Sequence, residues 1–473
     1  MNTFNGNTSL CVIGAGPAGL AAAYQAVSQQ LRPLVLEKSE QVGGLARTVI
    51  HSGYRFDIGG HRFYTKVEMV QRLWEEMLGE DFIQVPRLSR IYYRGRFFNY
   101  PIELINTLSN LGPWESARIL FSYLRAQLQP YPQEETFEQW VSNRFGQRLY
   151  ETFFKTYTEK VWGIPCDQIR AEWAAQRIMG LSLRTAVTNA LFSNHNGDAK
   201  SLINQFYYPR LGPGMMWERF AQAVEARCGQ VQTGVEVQRL EREGRRIAGV
   251  LVRQGGETRR LVTEQVISSM PLNQLIQRLD PPAPPGVLAA ADKLKYRDFI
   301  LVGLALEESS PFPDQWIYVH SPGFKVGRVQ NFRNWSAAMT PEADKTSLGL
   351  EYFCTRDDEL WRLPDRELIE LARRELEALG LGRAADVVDG MVVRQPMAYP
   401  IYDEEYLSQL AILQDFLSTF KNLQTIGRNG MHRYNNMDHS MLTGMLAVEN
   451  LLGAQHDLWQ VNTERSYSEQ QAF

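Results

Sequence analysis

The chain has 473 residues, 44% hydrophobic and 22% charged, with a formal net charge of −3. It is long enough for two or three domains, and without a basic excess no nucleic-acid partner is expected. Any acidic ligand must therefore be held by local arginines. The four cysteines, Cys11, Cys166, Cys228 and Cys354, show no C-x-x-C spacing, and no secretory signal precedes them. Both features point to reduced thiols and a cytoplasmic location.

Residues 10–48 read as a strand, a glycine turn, a helix, a second strand ending in an acid, and a Gly-Gly-x-x-Arg loop. Gly14, Gly16 and Gly19 carry G-x-G-x-x-G spacing, which lets the backbone approach a pyrophosphate. The helix from Pro17 turns its N-terminal N–H groups toward that anion. Leu34–Leu36 returns as a strand that places Glu37, with Lys38 beside it, near the ribose hydroxyls. Gly43, Gly44, Leu45 and Arg47 follow as a second glycine loop. An adenine dinucleotide is what this order of elements accommodates.

Farther along, Gly59-Gly60-His61 precedes a helical stretch through Leu78, and Leu88–Tyr100 alternates as a strand. His61 is either a buried structural histidine or a cofactor-facing one; the glycines before it favour the latter. Residues 101–192 are mainly helical and aromatic-rich, an inserted helical domain. Within it Pro113–Leu128 is amphipathic, read as packing against another domain rather than lying on a bilayer. A helix follows at Gly214–Arg227, then strands at Val231–Val237, Val250–Val252 and Val266–Met270. The proline-rich Asp280–Gly286 marks a boundary.

Beyond it, Phe299–Leu306, Trp316–Val319 and Ser347–Phe353 read as strands of a second, mainly antiparallel sheet, joined by the helix Asp365–Leu379. Leu423–Ile426, the turn Gly427–Asp438 and a helix return to the nucleotide domain, with Arg428, Asn436 and Met437 facing the cofactor. The expected class is α/β: a discontinuous Rossmann-like dinucleotide-binding domain over 1–100, 206–285 and 420–455, a helical domain over 101–205, and a sheet-containing substrate domain over 286–419. Residues 456–473 form a tail expected to be mobile. No apolar stretch is a transmembrane segment, and a homo-oligomer is allowed.

The seven histidines show no metal-ligand spacing, and no G-x-S-x-G elbow occurs, so chemistry is expected from the cofactor, with no metal. The Gly-Gly-x-x-Arg loop resembles that of FAD proteins with two dinucleotide-binding domains. The whole chain resembles the UDP-galactopyranose mutases, within the amine-oxidase-like and protoporphyrinogen-oxidase-like flavoproteins. The likeness is carried by FDIGGHRFY at Phe56–Tyr64, KVWGIP at Lys160–Pro165, AEWAAQRI at Ala171–Ile178, WIYV at Trp316–Val319, GRVQNFRNWS at Gly327–Ser336 and GRNGMHRYNNMDHS at Gly427–Ser440.

The resemblance implies FAD, with Arg177 and Arg328 on a substrate diphosphate, Trp162 near the uridine, Tyr318 and Tyr434 on the diphosphate, and Tyr100 and Asn334 near the nucleotide sugar. His61, Arg177 and Arg328 are the implied catalytic set. Read without it, an arginine such as Arg177 is as readily solvated or salt-bridged, and these aromatics could be core. The implied reaction interconverts pyranose and furanose nucleotide-diphosphate sugars through a reduced-flavin N5–sugar adduct, with an external reductant such as NAD(P)H. Arg62-Phe63-Tyr64 departs from the mutase pattern, where smaller or apolar residues follow the histidine. The alternatives are an FAD-dependent oxidoreductase of the amine-oxidase type and a non-catalytic flavin-binding protein.

Overall fold

The strand Asn7–Ile13 is apolar on both faces, with Leu10 through Ile13 all buried, as a parallel strand covered on both sides requires. It pairs in parallel with Pro33–Leu36 on one side and Glu257–Ser268 on the other. A computed structural model describes residues 7–100, 102, 104–171, 205–308 and 311–463. Among these the nucleotide sheet has eight strands. Its order is Leu279–Asp280, Val235–Glu243, Arg246–Gln254, Glu257–Ser268, Asn7–Ile13, Pro33–Leu36 and Gln230–Gln232, with Leu423–Thr425 also on Glu257–Ser268.

The helix Pro17–Ser28 begins with a proline in its first turn after Gly16 and buries an alanine-rich face. Small side chains let it lie directly on the helix Met437–Leu451: a Cβ on Gly444 would sit 2.2 Å from the Ala18 carbonyl. The chain thus returns, after more than 400 residues, to complete its first domain.

Two strands differ from expectation. Val231–Val237 is two strands, Gln230–Gln232 and Val235–Glu243, because Gly234 at φ +68° turns the chain between them. Of Val266–Met270, residues 266–268 are the buried end of a longer strand, Glu257–Ser268, whose first residues are exposed and mostly charged, and Ser269 and Met270 lie past its end.

The second sheet has seven strands in the order Val387–Pro400, Tyr296–Leu306, Thr346–Cys354, Arg328–Asn331, Trp316–Val319, Ser89–Tyr93, Arg96–Asn99. Every pairing is antiparallel except Trp316–Val319 with Ser89–Tyr93. Leu88–Tyr100 is therefore a hairpin, reversed at Arg94-Gly95 where φ is +51° and +77°, and it extends the second sheet rather than the nucleotide domain. The helices Pro285–Lys293 and Tyr406–Ser418 fall within the sequence interval read as the second domain. They pack instead in the same apolar core as Leu34, Leu36 and Val237.

The described part of the inserted region is helical: Leu104–Leu111, Pro113–Leu128, Phe137–Phe145, the short turn Gln147–Leu149, a π-helical segment Tyr150–Lys155, and Thr156–Trp162. Phe137–Phe145 starts with a capping box in which Thr136 and Gln139 satisfy each other's backbone N–H groups. Pro113–Leu128 is not packed as expected: it buries Ile119 and leaves large apolar residues in solvent. Past Gln455 the chain is docked rather than loose through residue 462. Leu458 and Val461 are buried, and Arg433 donates to the carbonyl of Val461 at 2.9 Å.

Asn422 ties three strands of the nucleotide sheet together. Its buried amide accepts from Ile247 N–H at 2.8 Å and donates to the carbonyls of Ile247 (2.8 Å) and Glu264 (2.7 Å). Asn422→Ala strands these groups, and we expect a loss on the order of 3 kcal/mol, read from urea unfolding. An unchanged midpoint would mean that the three contacts add nothing.

Candidate active site

The two glycine loops touch backbone to backbone. A Cβ on Gly44 would lie 3.2 Å from Gly16 Cα, and Gly43 N–H donates to Ala15 C=O at 2.8 Å. Gly14, at φ +97°, has no room for a side chain beside Ser269. Gly19 and Gly43 shape this turn from behind: a Cβ on Gly19 would meet the Gly14 carbonyl at 1.8 Å, and neither residue lines the cavity in front.

That cavity is about 740 Å³ and is lined by Gly14, Gly16, Glu37, Lys38, Gly44, Leu45, Arg47, Gly60, His61, Arg428, Asn436 and Met437. Glu37 is buried. Its Oε2 accepts from Ala15 N–H at 2.8 Å and its Oε1 from the N–H and hydroxyl of Ser39 at 2.9 and 2.5 Å. Carboxylate oxygens can accept more than one donor, so ribose hydroxyls remain admissible. Arg47 donates to Gly44 C=O (2.8 Å) and to Gln395 (2.9 Å); burial lowers its pKa, opposed by the charge of Glu37. Asn436 is the N-cap residue of the helix Met437–Leu451, whose first turn opens on the cavity. A cradle that a Cβ would fill, a carboxylate beside it and two helix N-termini together fit an adenine dinucleotide.

Gly60 approaches Gln330 so closely that a Cβ would fall 2.9 Å from the amide nitrogen. His61 lies against the same loop with Nε2 2.8 Å from Ile58 C=O. The carbonyl can only accept, so Nε2 carries the proton. Burial pushes the imidazole pKa down to about 4, helped by the charges of Arg428 and Arg328 and opposed by the hydrogen bond to Ile58. His61 is thus neutral at neutral pH, and among the described residues it is the only histidine on the cavity wall.

Arg328 stands opposite Glu351 in the second sheet and bonds it at 2.5 Å. Glu351 is fully buried and also accepts from Gln330 at 2.8 Å. Burial is the largest influence on Arg328 and opposes its charge, but Glu351 together with the surrounding Tyr157, Tyr399 and Tyr318 more than offsets it and holds the guanidinium well above its ordinary pKa. Around it stand aromatic rings. Tyr318 packs on Tyr100 (4.9 Å) and Tyr157 (5.5 Å), and Trp162 on Tyr399 and Tyr434 (6.2 Å each). The Arg428 guanidinium lies 4.4 Å over the ring of Tyr434 and bonds Asn435 C=O at 2.9 Å. Burial raises the phenol pKa of Tyr157 well above 10 and that of Tyr399 to about 12, so both remain donors.

The structure thus gathers Tyr100, Trp162, Tyr318, Arg328 and Tyr434 on one wall of the cavity that holds the glycine loops. Asn334 does not join them. Its amide donates to the carbonyls of Phe312 and Asp314 (2.9 Å each), which fixes a turn away from the cavity. Arg177 lies outside the described residues. Sequence reasoning missed Glu351, Gln330, Tyr157 and Tyr399. A lone acid inside the otherwise uncharged Thr346–Cys354 was the one available signal.

Two outcomes follow from these groups. Burial lowers the pKa of His61 and His432 to about 4 and of His320 to about 3, and raises that of Asp57 to about 7. Near pH 5 unfolding takes up about three protons on the imidazoles and releases about one from Asp57. Net uptake is about two, so stability falls as pH drops from 6.5 toward 4, by on the order of 2–3 kcal/mol per pH unit. Urea midpoints at pH 5 and 7 measure this, and equal midpoints contradict it. Glu351→Gln leaves Arg328 buried without its counter-charge, with an expected loss of roughly 3–5 kcal/mol by the same measurement.

Residues 17–400 match the family described as flavin containing amine oxidoreductase. A probable UDP-galactopyranose mutase of Klebsiella pneumoniae is 28% identical over 179 residues, 35% of this chain and 44% of that protein, so the match spans less than half of the relative. The crystal structure of reduced UDP-galactopyranose mutase superposes with a TM-score of 0.84 at 21% identity, covering 96% of this chain and 98% of that one. Putrescine oxidase bound to putrescine superposes at 0.63 and 18% identity over 95% and 99%. The fold is therefore that of the mutase-like flavoproteins, and the chain belongs to the flavin-containing amine oxidoreductase family.

Proposed function

We propose that the protein is an FAD-dependent mutase acting on a nucleotide-diphosphate sugar, interconverting its pyranose and furanose forms. The observation that carries this reading is Arg328, a guanidinium fixed on the buried Glu351 and set among tyrosines in the same cavity as the dinucleotide cradle. A planar, permanently charged fork suits a diphosphate, and it offsets the charge that collects on the departing diphosphate oxygen as the anomeric C–O bond breaks. Arg177 is assigned the second diphosphate contact. Tyr318 and Tyr434 donate to the same oxygens, while Trp162 and Tyr100 flank the base and sugar. Reduced flavin, when bound, supplies the nucleophile for the anomeric carbon, with NAD(P)H as a candidate reductant. The neutral His61 positions the cofactor loop and carries no proton to substrate.

The amine oxidoreductase family match favours a second reading, an FAD-dependent oxidoreductase taking hydride from a small molecule. The two separate cleanly. Protein reduced with dithionite and given UDP-galactopyranose should yield the furanose, and oxidised protein should not. Arg328→Ala should lower kcat/KM by about 10²–10³ while leaving the flavin spectrum intact. No furanose from reduced protein, together with bleaching of the flavin by an amine and its return in air, would assign the oxidoreductase.

A further inference from the structure

The helix Pro113–Leu128 presents a face that the rest of the described chain leaves uncovered. Trp114 and Phe121 are each 72% exposed and Leu128 83%, with Leu120 and Leu124 about half exposed. At about 100° per residue these five side chains fall within an arc of about 120° along a helix about 24 Å long. A helix stabilised by its own domain buries such an arc. This one buries Ile119 on the other side.

The charges around the stripe are one-sided. Arg118 and Arg125 run along its edge, both exposed, and Arg118 lies 5.1 Å over the ring of Trp114. The helix's acid, Glu115, points farther round, is bonded by Arg148 and lies 3.8 Å from Arg118. The ends are aromatic, with Trp114 at the start and Tyr131, 44% exposed, just past the end. Indole and phenol rings with one apolar and one polar side favour the headgroup level of a bilayer. The arginine stems can lie along the apolar stripe while their guanidiniums reach lipid phosphates. A second copy fits less well: antiparallel pairing about a two-fold axis would lay the two arginine edges side by side with no acid between them.

We propose that this helix lies in the surface of an anionic membrane, its stripe Trp114, Leu120, Phe121, Leu124 and Leu128 in the acyl boundary and Arg118 and Arg125 on the headgroups. No described helix is long and apolar enough to cross a membrane, so the contact is peripheral.

The test is co-sedimentation of the flavin-loaded full chain with phosphatidylcholine vesicles, with and without 30% phosphatidylglycerol. The parent protein should bind the anionic vesicles and release in 0.5 M salt. Phe121→Asp with Leu128→Asp should weaken that binding at least tenfold, with the flavin spectrum and thermal midpoint unchanged because both residues are in solvent. Arg118→Glu with Arg125→Glu should weaken binding to the anionic vesicles alone. No binding by the parent, or equal binding by both variants, overturns the proposal. So does a dimer by light scattering that Phe121→Asp with Leu128→Asp converts to a monomer while vesicles are ignored, which would assign the face to a second copy.

Discussion

A carboxylate in the middle of a sheet, with no water to solvate it, must be met by donors that the fold itself supplies. Glu351 is that group. Every residue of its strand is buried, and its partners come from the neighbouring strand: Arg328 directly opposite, and Gln330 two residues on and so on the same face. Because both carboxylate oxygens only accept, the amide of Gln330 must turn its NH2 toward Glu351, and that same nitrogen rests against Gly60. One buried charge therefore joins the guanidinium wall to the loop that carries His61. A register slip of one residue would turn Arg328 to the other face and break both connections.

The opposite end of the same loop is held by a second polar centre. The hydroxyls of Thr48 and Tyr208 donate to the two oxygens of Asp57, and Gly214 N–H donates to Thr48 at 3.0 Å. Gly212 must be a glycine there, at φ +89°, since a Cβ would fall 2.3 Å from the Thr48 hydroxyl. The hairpin Thr48–Asp57 is thereby locked to the helix Gly214–Glu225 on one side and feeds Gly59-Gly60-His61 on the other. Segments more than 150 residues apart in the chain set the position of three consecutive residues.

How much was legible in the sequence follows from this difference in range. The glycine loops, Glu37 and the helix after Gly16 are contiguous, and their chemistry depends on spacing alone, so they could be read directly. Arg328 could be located by resemblance, but its partner Glu351 depends on strand register, which no local pattern encodes. Val387–Pro400 escaped notice because Asp389, Gly390, Arg394 and Pro396 interrupt its alternation; at the edge of the sheet it tolerates them. Asn334 shows the reverse failure: a position transferred by likeness is here consumed by a turn. For Pro113–Leu128, periodicity fixed the helix but not what covers it.

Burial sorts the ionisable groups of the cavity by whether they can give up their charge. Imidazole can, and His61 is neutral; phenols never gain one, and Tyr157 and Tyr399 stay protonated. Guanidinium cannot, and Arg328 keeps its charge at the cost of burying an acid beside it. Asp57, the group whose pKa lies near 7, is walled off behind the cofactor loop and does not line the cavity. Toward a bound molecule the described walls therefore offer the guanidiniums of Arg47, Arg328 and Arg428, the carboxyl side chains of Glu37, Glu236 and Asp438, and phenolic hydrogen-bond donors, with no imidazole poised to shuttle protons. Chemistry on such walls, where burial leaves the only imidazole neutral and the phenols protonated, turns on how closely a bound flavin and the reacting atoms are held.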